Sequence, residues 1–215
     1  MKTSPSHCVR LAMLTVLLAV VAGCQGPLLT AAYMLGYGDT QAEFKGLKKK
    51  RVVVVCRPLV ELQYRNMNAA KMISREIASQ LRRNISGIEV VDNQKTDEWL
   101  DSNSFTQLTE IGQAFEADMV VGVDLVGFDV YEGQTLFRGK ANYEIKVVDC
   151  NTGQIVFEKP SNTCVWPPNT GIPTSEKEES QFRRQFIGVL AEKIAHTFYR
   201  YDHRDSFAGD SLAFE

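Results

Sequence analysis

Few side chains of this 215-residue chain are spaced to do chemistry. Its three histidines, His7, His196 and His203, are scattered. Its five cysteines, Cys8, Cys24, Cys56, Cys150 and Cys164, lack the C-x-x-C spacing that a zinc site uses, so neither a metal nor a cofactor is expected. The chain holds no G-x-S-x-G elbow, no H-E-x-x-H and no P-loop. Val121-Gly122-Val123-Asp124 is no nucleotide fingerprint, because no glycine-rich turn leads from it into a helix. Two arrangements remain. Asp124 and Glu144 can share the polar face of a sheet, two residues out of register, either as a working carboxylate pair or as a solvated face balanced by Lys140 and Lys146. His196 falls beside the apolar stripe of the last helix, either as a general base or as a partly buried helix residue. The structural reading is preferred for both, and no enzyme activity is expected.

The remaining chemistry is at Cys24. Lys2 and Arg10 make a positive start, and residues 11–22 are apolar except for Thr15. That run is shorter than the roughly 20 residues needed to span a bilayer and has the length of a signal-peptide core. It ends on Val21-Ala22-Gly23-Cys24, which resembles the bacterial lipobox. The resemblance implies cleavage after Gly23 and fatty acyl chains, palmitate among them, on Cys24. One acyl chain gives marginal membrane binding, whereas two or more give a stable anchor. Gln25 stands where an aspartate would imply inner-membrane retention, so the expected site is the periplasmic face of the outer membrane, the inner membrane being the alternative. An ordinary secretory signal that contains a cysteine is the competing interpretation.

Loss of residues 1–23 removes two basic residues and no acidic one, so the net charge of −2 becomes −4. Such a balance argues against nucleic acid as the main partner. The expected organisation is a signal peptide over 1–23, a lipidated tether over 24–50, one domain over 51–200 and a disordered tail over 201–215. The run Lys48-Lys49-Lys50-Arg51 reads as a solvated flank, or as a contact with anionic headgroups. Cys56, Cys150 and Cys164 would remain beside the lipidated cysteine. Their odd number leaves at least one thiol free or shared between chains.

The elements that must position these groups are set by periodicity. Residues 52–56, VVVVC, do not alternate, which predicts a strand covered on both faces and ended by Arg57-Pro58. Asn66 can cap a helix carrying Ala70, Ile73, Ile77 and Leu81 on one face and stopping near Asn84. A short strand at 88–91 precedes a polar stretch, 93–103, with at most one turn near Trp99-Leu100. Ser104 to Gln107 reads as a capping box before a helix faced by Leu108, Ile111, Gly112 and Phe115. Strands over 118–131 and 135–149 then meet across a three-residue loop, Glu132-Gly133-Gln134, pairing Val121 with Ile145, Val123 with Tyr143 and Leu125 with Ala141. A second hairpin turns at 151–154, with Cys150 opposite Ile155. Cys164 then lies about 30 Å farther along that strand, too far for a disulfide with Cys150. Residues 166–173 read as a rigid loop. Ser175 and Glu178 read as a capping box for a helix striped by Phe182, Phe186, Leu190, Ile194 and Phe198. The fold class is therefore α/β (α+β), a mixed sheet with helices packed on it, in the order β-α-β-α-β-β-β-α.

Two motifs carry a resemblance. Residues 111–122, IGQAFEADMVVG, resemble a G-x-x-x-x-A-D-x-x-V-x-G pattern, and residues 147–155, VVDCNTGQI, are similar to V-D-x-x-T-G-x-I. Together they resemble the periplasmic domain shared by the curli secretion lipoprotein CsgG, the N-terminal domain of TolB and the lipoprotein LpoB, an activator of a peptidoglycan synthase. The resemblance spans roughly residues 50–200 and implies a mixed sheet with helices. It implies no catalytic residue. Gly112 and Gly122 would let a helix and a strand approach closely, and Asn151-Thr152-Gly153 is turn chemistry. The chain lacks the long amphipathic hairpins with which the pore-forming member spans a membrane. The protein expected on these grounds is a non-catalytic, membrane-anchored lipoprotein that binds an unidentified envelope protein. The alternatives are an oligomeric subunit of a CsgG-like secretion conduit, or a small binder of envelope polymers or enzyme. Phe128, Phe137 and Trp166 are the candidate partner contacts, because they read as apolar residues on exposed turns.

Overall fold

A computed structural model describes residues 39–58 and 63–202, with side chains of 63–66 excepted. Residues 1–23, Cys24, the tether as far as residue 38 and the tail from 203 lie outside the described residues, so the expectations for them do too. The folded unit runs from Thr40. It starts earlier than the boundary expected at residue 51, because Leu47 is fully buried and Phe44 packs on Phe157 and Phe198.

Five strands form the main sheet in the order β2-β1-β3-β4-β5: β1 (Arg51–Pro58), β2 (Glu89–Val90), β3 (Met119–Glu132), β4 (Leu136–Asp149) and β5 (Ile155–Trp166). A two-residue strand, β6 (Ile172–Pro173), adds to the free end of β4. β1 runs parallel to both β2 and β3, and β3, β4 and β5 are antiparallel neighbours. Each helix covers a face. α1 (Gln63–Asn84) and α4 (Glu179–Ala195) lie on one side, and α2 (Asn93–Ser102) and α3 (Leu108–Ala114) on the other. The valine run of β1 is divided between them. Val52 and Val54 join the larger core, while Val53 and Val55 join the smaller one with Leu108, Ile111 and Val120.

α1 buries Ala70, Ile73, Ile77 and Leu81, the face its periodicity predicts, but begins at Gln63, so Asn66 lies inside it and not at its cap. Arg82 and Arg83 in its last turn complement the helix dipole. The sequence predicts a single turn where α2 lies, and α2 is ten residues long. Apart from Trp99 and Leu100, which pack on the smaller core, its residues are polar, and polar contacts hold the helix. Asp92 caps it by accepting from Gln94 N at 3.0 Å. Arg82 donates to Asn93 at 3.3 Å, Arg75 to Asp97 at 2.6 Å and Lys71 to Asp101 at 2.6 Å, a ladder along which α2 runs antiparallel to α1, with the buried Asp97 as the firmest of the three contacts. The capping box before α3 sits three residues later than expected, at Gln107 with Glu110, whose carboxylate accepts from Gln107 N at 2.8 Å. The Ser175–Glu178 box is absent, because α4 starts at Glu179 with Glu178 as its cap.

The β3–β4 hairpin has a three-residue loop, placed one residue later at Gly133-Gln134-Thr135, with Gly133 at φ +68°. Val121 therefore pairs with Val147, Val123 with Ile145 and Leu125 with Tyr143. This is two residues from the expected register, so every side chain keeps its expected face. Irregularities at Val126 and Val130 then interrupt the ladder. The first leaves Val126 exposed and turns Phe128 toward the core, and Val130 is buried as well. The next turn closes one residue early, as Asp149 N donates to Gln154 O at 3.0 Å and Cys150 lies in the turn instead of opposite Ile155. Cys164 sits across from Ala141, and Cys56, Cys150 and Cys164 form no disulfide.

Candidate functional site

The three candidate partner contacts come together, but inside the molecule. Phe137 and Trp166 each lie 5.2 Å, centroid to centroid, from Phe182, and Phe128 lies 5.3 Å from Phe186. Trp166 has no exposed surface and Phe137 almost none, while Phe128 is half-buried. They are the aromatic seat of α4. Phe137 and Trp166 are therefore core residues and not surface contacts. The cause is twofold: the irregularity at Val126 redirects Phe128, and strand pairing continues to Glu132 and Leu136, which places Phe137 in the ladder and not in the loop. Gly139 completes the seat, since a Cβ there would fall 2.4 Å from the Phe186 ring.

Motif residues build the scaffold. A Cβ on Gly112 would meet Cys150 Sγ at 2.3 Å, and one on Gly122 would meet Leu108 Cδ1 at 2.5 Å. Both glycines thus permit the close approach of α3 to β3 and to the β4–β5 turn. Asp118 Oδ2 accepts from Arg51 N at 2.8 Å, and the two residues share a further backbone bond, which fixes the start of β1 against β3. Asp149 Oδ1 accepts from Asn151 N at 2.8 Å and Thr152 N at 3.2 Å, and Gly153 at φ +72° closes that turn. Arg51 donates to Phe115 O at 3.1 Å and pairs with Glu89, so the last residue of the basic run is turned into the fold.

Asp124 and Glu144 are direct partners in the β3–β4 ladder and are not offset. They belong to a row of charges that crosses four strands on the side where α2 and α3 run out. Arg57 pairs with Asp124, and Lys146 lies 3.6 Å from Asp124, 3.5 Å from Glu144 and 3.6 Å from Glu158. Burial works against the Lys146 charge, but the carboxylates of Asp124 and Glu144, then Glu158, outweigh it and raise its pKa above the usual lysine range. The two carboxylates share an ammonium group. Lys140 takes no part; it stands opposite Asp129 in the ladder.

A cleft of about 460 Å³ opens where this row meets the carboxyl ends of β1 and β3. Its floor is Cys56, Arg57, Pro58 and Asp124. Met67 and Lys71 of α1 form one wall, and Leu100 and Asp101 of α2 with Asn103, Ser104 and Phe105 just after it form the other. The Arg57 guanidinium lies 5.6 Å over the Phe105 ring while its Nε–Nη2 edge faces Asp124. Lys71 Nζ reaches both Asp101 oxygens, at 2.6 and 2.8 Å. Crevices at the carboxyl ends of parallel strands are the usual ligand position in α/β sheets. The apolar run before Arg57 does announce β1. The α1–α2 ladder that builds the walls left no periodic signal, and only the charges at 71, 75, 97 and 101, at helical spacing, hint at it.

Burial first, and the Asp124 charge second, push the pKa of the Cys56 thiol in this floor far up, which disfavours the nucleophilic thiolate. His196 packs face to face on Tyr201 at 3.7 Å, with Glu192 3.7 Å away, as a C-terminal helix residue. Among the described residues, no group of three or more His, Cys, Asp or Glu could hold a metal ion, and no helix is long and apolar enough to cross a membrane.

No protein-family model matches the chain, and no curated protein matches its sequence. Solved structures do resemble the fold. A PelC dodecamer from Paraburkholderia phytofirmans superimposes with a TM-score of 0.46 at 13% identity, covering 76% of this chain and 96% of that one. Lipoprotein GNA1162 from Neisseria meningitidis gives 0.40 at 13% identity, over 67% and 97% of the two chains. The LpoB C-terminal domain from Salmonella enterica gives 0.38 at 14%, over 55% and 85%. At such identities and scores these likenesses carry nothing about activity or partners.

Proposed function

We propose that this chain is a non-catalytic, lipid-anchored protein of the bacterial envelope that acts by binding another protein. The observation that carries the proposal is the order of residues 2–24: positive charge, a twelve-residue apolar run, then Val21-Ala22-Gly23-Cys24. Acyl chains on Cys24 hold the mature chain at the periplasmic face of the outer membrane. Fifteen residues separate Cys24 from the folded unit, which limits its reach to about 50 Å.

The contact surface in this proposal is the start of β5. It is an edge strand, and Ile155 and Val156 are 54% and 42% exposed. Farther along, Pro160 and Ser161, the latter at φ +52°, break the edge, so only Ile155 to Glu158 can take a partner strand. The test is photocrosslinking from position 156 in intact cells, with and without Ile155→Lys. Recovery of one envelope protein that the substitution abolishes supports the proposal. An unchanged crosslinking pattern overturns this contact surface. A crosslink to a second copy instead favours the oligomeric, conduit-like alternative.

A further inference from the structure

The cleft between α1 and α2 has a composition that selects a ligand. Its charges cancel: Arg57 and Lys71 against Asp124 and Asp101. A phosphate or another plain anion would meet both carboxylates, and a plain cation would meet both basic groups. Met67, Leu100 and Phe105 give the walls an apolar surface, of which only Phe105 serves one of those charges, lying under the Arg57 guanidinium. At about 460 Å³ the cleft falls in the lower half of the range for small-molecule sites.

The two ion pairs are unequal. Asp124 is 12% exposed at its side chain and is held by Arg57 and Lys146. Asp101 is 63% exposed and pairs with Lys71 across the mouth. Lys71 is 21% exposed, so the pair is half-buried; as the last of the contacts between α1 and α2, open to solvent on the Asp101 side, it opens at a modest cost. A ligand bearing both charges can replace it in kind, its carboxylate taking Lys71 and its ammonium taking Asp101.

We infer that this cleft binds a small zwitterion with an apolar side chain, an α-amino acid or a dipeptide, through the split Lys71–Asp101 pair. The apolar side chain enters between Met67, Leu100 and Phe105, over the Arg57–Asp124 floor. The inference is independent of the envelope proposal, since nothing in it uses Cys24.

The test is calorimetric titration of the full-length protein with leucine and with Leu-Leu, beside N-acetyl-Leu-Leu and Leu-Leu amide. One of the two zwitterions should bind, and whichever binds names the source. Blocking either charge of Leu-Leu should weaken binding about tenfold or more, the worth of a charge-assisted hydrogen bond. Asp101→Asn and Lys71→Met should each do the same and leave the melting temperature nearly unchanged. Absence of binding at millimolar ligand, equal binding of blocked and unblocked peptides, or unaltered binding by both folded variants would overturn the inference.

Discussion

Gly139→Ala puts the packing of α4 to a direct test. The added Cβ would lie 2.4 Å from Phe186 Cγ and Cδ2 and 2.6 Å from Cδ1. Carbon atoms in contact prefer about 3.5–4.0 Å, so the ring must retreat by roughly 1 Å. It has nowhere to go. Phe186 is fully buried, and Phe128 stands 5.3 Å away. The near atoms include Cγ, the root of the ring, so turning the ring about χ2 cannot relieve the clash. Alanine reduces the freedom of the unfolded chain, a gain of about 0.4–1 kcal/mol. Overpacking a core costs about 1–3 kcal/mol, which is larger. The expected net loss is about 1–2 kcal/mol, read by equilibrium urea unfolding through the fluorescence of buried Trp166. Phe186→Leu alone also destabilises, through the cavity it leaves, but combined with Gly139→Ala it should cost clearly less than the sum of the two. A Gly139→Ala protein as stable as the parent, or strictly additive effects, would refute this account of the seat.

Two further expectations concern buried charge and buried thiol. Arg57→Met leaves Asp124 with Lys146 alone; removing a partner from a buried pair costs about 3–5 kcal/mol and from an exposed pair about 0–1. With Arg57 37% exposed and Lys146 retained, about 1–3 kcal/mol is expected, and a loss below about 0.5 would show that the charge row is ornamental to stability. Cys56 has a pKa raised by burial and then by Asp124, so its proton is held in the folded state and released in the unfolded one above the ordinary thiol value of 9.0. Stability must therefore fall as pH rises, by about 1 kcal/mol between pH 9 and 10 from this group. Cys56→Ala should flatten that fall by the same amount, and an unchanged slope between pH 9 and 10 would exclude the thiol as its source.

Much of the fold was legible because hydrophobic period and burial agree in β1, α1, β4 and α4. The valine run reads as doubly covered, and it is; the 182–198 stripe reads as a docked face, and it is. Three things were hidden. The β3 irregularities at Val126 and Val130 change which residues face inward without changing composition, so Phe128 reads as exposed. Phe137 reads as a hairpin-tip residue and Trp166 as a loop residue because their partner, Phe182 on α4, is distant in sequence. α2 has only Trp99 and Leu100 as apolar residues and is otherwise tied to α1 by ion pairs, too few apolar positions for a helical period to show. The cleft depends on that helix, so it was invisible for the same reason. Gly112 and Gly122, by contrast, do what the motif resemblance implied, because close approach is a property of the residue itself.

The proposed anchoring rests on Cys24, and the mass of the mature N-terminal peptide tests it most directly. The protein should be extracted from membranes, digested with trypsin and its peptide ending at Lys45 weighed, with Cys24→Ser as the control. The account predicts a peptide beginning at Cys24 whose mass exceeds that of its residues by a diacylglyceryl group, and whose absence from the control accompanies release of the protein from the membrane. A chain that starts at another residue, or a Cys24 with an unmodified thiol, would contradict it.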